Sequence, residues 1–111
     1  MTRRITPDEL LAAYEKIGAT PVRGIYYDKA TNRGDGVGVY CVAVLGHGGE
    51  PGVGMYRMAM EMAGFDKAYI HSFQCGFEGV QFPSEVGPHA QGQADGLAAW
   101  DAVKHLAKEA K

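Results

Sequence analysis

The feature that most constrains this chain lies in its C-terminal helix, where two glycines fall on the side that has to be buried. Hydrophobic periodicity predicts a helix from about His89 to Ala110, with an apolar face of Ala99, Trp100, Val103, Leu106, Ala107 and Ala110. Projected backwards at about 100° per residue, that face takes in Gly92 and Gly96. A glycine costs about 1 kcal/mol relative to alanine inside a helix. Two of them on the core side therefore imply a second backbone passing close by. The expected partner is a helix over 66–78, with Asp66 as its cap and Gly79 as its stop. Its aromatic face (Tyr69, Ile70, Phe73, Phe77) is flanked by Ser72 and Gly76, small enough to let another helix approach.

The rest of the chain is read by the same rules. Residues 7–17 carry strong helix signals: Thr6 as N-cap, Pro7 in the first turn, and Glu9 to complete a capping box. Leu10, Ala13, Tyr14 and Ile17 form its apolar face, and Gly18 ends it. Val22 to Tyr27 is β-branched and aromatic and predicts a strand. Lys29 to Gly36 reads as a polar turn, in which Arg33-Gly34-Asp35 is turn chemistry beside Asn32. Val37 to Leu45 is apolar almost throughout and predicts a strand buried on both faces. A glycine-rich loop follows over 46–54, then a helix over about 54–63. In that helix Met55, Met58, Ala59 and Met62 are expected to face the core, and Met60 to fall outside the stripe. Val80 to Pro88 reads as a loop. The expected architecture is a single α+β domain over 1–111. It orders as helix, two strands and three helices, with a two-stranded hairpin covered by the helices or extended by a second copy.

At 111 residues, 46% of them hydrophobic, the chain can bury a core as one unit. The net charge is -2, and no Lys or Arg stands between Lys67 and Lys104, while Glu78, Glu85, Asp95 and Asp101 do. That balance argues against nucleic acid, which demands a basic face. No apolar run approaches the roughly 20 residues needed to span a bilayer. No apolar stretch follows the N-terminal Arg3-Arg4 pair, so no signal peptide is expected. Cys41 and Cys75 are then two free thiols in a reducing, cytoplasmic compartment.

Three groups of residues are candidates for function. The first is the glycine loop, where His47, Gly48 and Gly49 with Tyr56 are candidate ligand contacts gating a pocket walled by Tyr26, Tyr40, Tyr56 and Met58. Gly49 to Gly54 has P-loop spacing, but Met55 and Tyr56 stand where Lys and Ser/Thr are required, so a plain connector is the competing reading. The second is His71 with Cys75, one helical turn apart, which with His89 forms a candidate metal set or a nucleophile–base pair. The third is the face carrying Gln74, Cys75 and Glu78, read as an interface. The acidic residues of the C-terminal stretch have no EF-hand spacing and read as solvated surface. The leading expectation is a non-catalytic, self-associating binding module. No cofactor is expected, a divalent metal being the alternative, and the rival readings are a thiol- or metal-dependent protein and a small-molecule binder.

Overall fold

In the computed structural model, which describes residues 3–46, 53–80 and 87–109, five helices surround a minimal sheet. Helix α1 (Pro7–Ile17) begins with the expected capping box: Glu9 N–H donates to the Thr6 hydroxyl, and the Glu9 carboxylate accepts from Thr6 N–H. Gly18 closes it in the left-handed region at φ 67°. The chain then forms three two-residue strands, β1 (Thr20–Pro21), β2 (Tyr27–Asp28) and β3 (Arg33–Gly34). Their order is β1-β3-β2, with β3 parallel to β1 and antiparallel to β2. Helices α2 (Gly36–Ala43), α3 (Val53–Met62), α4 (Lys67–Glu78) and α5 (Gly87–Glu109) complete the order.

The α+β class stands, but the apolar run 37–45 is not a strand. It forms α2, capped at Asp35, whose carboxylate accepts from Gly38 N–H at 2.9 Å. A helix apolar on every side carries no period, and only a site buried all round can hold it. Gly36 through Cys41 and Ala43 are all buried. Gly38 explains why the segment fits only there: a Cβ on it would overlap the carbonyl oxygen of Tyr26. The expected strand over 22–27 shrinks to Tyr27–Asp28, since the chain bends through Arg23 and Gly24, the latter at φ 88°. The hairpin partner of β2 comes from within the expected turn: Arg33 and Gly34 form the central strand, and Asp35 is a buried cap. At the other end of the chain, Gly87 and Pro88 belong to α5 rather than to the preceding loop, and 81–86 lie outside the described residues.

The glycines of α4 and α5 do mark a close approach of two helices. The most extensive helix contact is α4 against α5. A Cβ on Gly96 would overlap the Phe73 carbonyl oxygen, one on Gly76 the Gln93 carbonyl oxygen, and one on Gly92 would come within 2.6 Å of the Tyr69 carbonyl oxygen. Backbone touches backbone along the seam, and the aromatic rings of Tyr69, Phe73 and Phe77 are released to fill the core beneath it.

Of the stripe expected to face the core on α3, only Ala59 packs against it. Met60 is fully buried, whereas Met55, Met58 and Met62 are 52%, 55% and 83% exposed. The helix carries two apolar stripes, and the one bearing Tyr56 with Met60 is the one buried. A buried tyrosine ring gains more from burial than a thioether chain, and Tyr56 also stacks on Tyr26 at 5.1 Å between ring centres.

Candidate functional site

An open groove of about 660 Å³ runs along the outer side of α4. Helical spacing places His71, Gln74, Cys75 and Glu78 on one stripe of that helix, and all four line the groove. From α3 comes Arg57, and from the stretch before β2 comes Tyr26, held upright by its stack on Tyr56. Val80 closes the far end. Residues widely separated in sequence meet here because α3 and the stretch around Tyr26 stack on one another through Tyr56 and Tyr26, and both reach Gln74 of α4.

Gln74 is the hub of the groove floor. Its side-chain oxygen accepts from the Tyr26 hydroxyl at 3.1 Å and from Arg57 Nη2 at 3.5 Å. The same guanidinium nitrogen lies 3.2 Å from His71 Nδ1. Arg57 Nε is buried with no acceptor. A guanidinium presents its donors as a planar fork matched to a carboxylate, and Arg57 brings that group to the border of the groove. At the other end, Glu78 accepts from Gly24 N–H at 2.9 Å, while Arg23 beside it donates to the Phe77 carbonyl and lies over the Trp100 ring at 4.2 Å. Those contacts tie the bend at Gly24 to the end of α4 and fix the Tyr26 wall.

Behind the groove sits Asp35, 1% exposed. Burial pushes its carboxyl up to about 8, against the pull of the Gly38 N–H; Glu78 raises it further and Gln74 lowers it. One of its oxygens has no hydrogen-bond partner. Sequence reasoning overlooked Asp35 as a buried group, although an Asp immediately before an apolar run is a helix-start signal. Arg57 carries no motif that would single it out in the sequence.

His71 and Cys75 do come together, with Nε2 3.9 Å from Sγ. Burial raises the Cys75 thiol and Glu78 adds to the shift, opposed by Arg57. A raised thiol holds less of the thiolate that nucleophilic or metal chemistry uses. His89 is elsewhere: its Nδ1 lies 2.8 Å from the Ser72 hydroxyl, between α4 and α5. Ser72 is fully buried, so this contact braces two helices rather than presenting a nucleophile. Among the described residues no group of three His, Cys, Asp or Glu side chains could hold a metal ion. His47, Gly48 and Gly49 lie outside the described residues. Tyr56 lies beneath the groove rather than in its lining, and Tyr40 is buried against Arg3 and Phe65. Asp95, on the acidic stretch, pairs with Arg4 at 2.8 Å and accepts from the Tyr69 hydroxyl, which itself accepts from Ile5 N–H.

A second open groove of about 610 Å³ adjoins the first, and Arg57 borders both. It runs along the exposed methionines, with Met58, Glu61 and Met62 of α3 facing Lys67 of α4. No helix among the described residues is long and apolar enough to cross a membrane. Comparison with protein-family models, with curated proteins and with solved structures finds no match to this chain.

Proposed function

We propose that this chain is a small binding module whose groove along α4 takes an organic carboxylate. The observation that carries the reading is Arg57. Its guanidinium is held by His71 and Gln74 at the border of the groove, where it is the one cationic group among the described lining residues. A carboxylate is the group whose two oxygens match a guanidinium edge. Next to it the Tyr26 ring and Val80 offer apolar surface for the body of such a ligand, and the groove volume lies in the range of small-molecule sites. Glu78 at the far end opposes a second negative charge, which favours a monocarboxylate. The raised Cys75 thiol supports binding over thiol catalysis. Two free thiols suit a reducing compartment, and we place the protein in the cytoplasm on that ground.

The test is thermal unfolding with a panel of aliphatic and aromatic monocarboxylates, each run beside its neutral amide. A ligand that binds only the folded state stabilises it, by about 2.7 kcal/mol at a hundredfold excess over its Kd. The expected result is a rise in Tm with at least one acid, none with its amide, and loss of the rise in Arg57→Gln. If no acid in the panel raises Tm, or the amides do so equally, the carboxylate reading is wrong.

A further inference from the structure

We propose that the exposed face of α3 is a contact surface for a second copy of this chain, the two α3 helices packing antiparallel about a twofold axis near Met58 and Ala59. This inference does not rest on the carboxylate reading. Met55, Met58 and Met62 recur at i, i+3 and i+7, within a sector of about 60° opposite the buried Met60. Three thioether side chains more than half exposed on one short helix form a continuous apolar patch, of the flexible kind that adapts to a partner.

What selects a second copy as the occupant is the charge pattern. Arg57 and Glu61 lie four residues apart on one flank of the methionine stripe, and Glu61 makes no ion pair among the described residues. A twofold axis between two antiparallel helices keeps that flank on the same side of both and reverses its direction. With the axis near residues 58 and 59, Arg57 faces the partner's Glu61 and Glu61 faces the partner's Arg57. In the same register Met55 lies across from the partner's Met62, and Met58 packs beside the partner's Met58. One register therefore brings opposite charges together across the axis and closes the apolar seam, which is the self-complementarity an isologous interface requires. Parallel packing about a twofold would carry the two charged flanks to opposite sides of the seam and leave both charges without a partner across it. A helix of ten residues is about 15 Å long. Its face is smaller than the roughly 800 Å² per partner of standard stable interfaces, so the dimer is weak and reversible.

The experiment is sedimentation equilibrium across a concentration series, with native mass spectrometry for stoichiometry. The intact chain should show a reversible monomer–dimer equilibrium. Glu61→Arg sets like charges across the axis and should raise Kd at least tenfold, while Arg57→Glu combined with Glu61→Arg restores the pairing and brings Kd back towards the starting value. Cross-linking removes any dependence on how well the Arg57 variant folds. In a Cys75→Ser background, Met58→Cys places a thiol at the axis and should oxidise to a covalent dimer, whereas Lys104→Cys on α5 should not. A chain that stays monomeric at millimolar concentration overturns the proposal. So does a dimer that Glu61→Arg leaves intact, or one that links as well through Lys104→Cys.

Discussion

The α4–α5 seam and the outer face of α3 are both built from residues repeating at helical spacing, yet they teach opposite lessons. Along the seam the repeating residues are the smallest the chain has. Their effect is fixed by geometry alone, because a missing Cβ leaves room for one thing, another backbone. On α3 the repeating residues are methionines, which a core and a surface accept almost equally. Which of its two stripes is buried depended on Tyr56 and on the Tyr26 ring that receives it. Small side chains therefore report their environment more sharply than large flexible ones.

The largest loss of stability is expected at the seam. Gly96→Ala drives a methyl group into the Phe73 carbonyl, a backbone atom with nowhere to move. We expect a loss of about 3 kcal/mol or more in urea denaturation, where alanine's better helix propensity alone would give a gain of about 1 kcal/mol. A stabilised Gly96→Ala protein would show that α5 does not touch α4 there.

An intermediate effect is expected at Asp35, where a buried helix cap meets the back of the groove. Its folded-state pKa, pushed up to about 8, lies above the ordinary carboxyl value, so between the two the folded state holds a proton that the unfolded chain has lost. Stability should therefore fall as pH rises from about 4 towards 8 and level off above that. Asp35→Asn keeps an oxygen to accept from Gly38 N–H but cannot ionise. It should flatten the decline and be the more stable protein at pH 8, measured by urea midpoints at stepped pH. Parallel curves for the two proteins would mean that Asp35 does not titrate in this window.

The smallest effect belongs to the α3 surface. Met62→Gln at monomeric concentrations should change stability by less than about 0.5 kcal/mol, because the side chain is 83% exposed. A larger loss would show that the stripe belongs to the core after all.

How much of this was legible in the sequence follows the same division. Helices α1 and α4 were readable to within a residue because their caps, Thr6 with Glu9 and Asp66 with Gly79, are local chemistry. The α4–α5 pairing was readable because Gly76, Gly92 and Gly96 speak for a neighbour's backbone. The run 37–45 was not, because β-branched residues favour a strand by propensity and a fully buried site overrides propensity without leaving a periodic trace. Of the groove, the stripe of His71, Gln74, Cys75 and Glu78 could be drawn from spacing on one helix. The arrival of Arg57 and Tyr26 could not, since it depends on how α3 and the Gly24 bend dock on α4.

Arg57 borders both grooves, and one guanidinium cannot give the same donors to two acceptors at once. Whatever draws it towards α4 subtracts from what it offers along α3, and the reverse holds by the same factor, since linkage between two binding equilibria is reciprocal. Two surfaces that share a single charge in this way behave as a balance, and loading either side can be read by weighing the other.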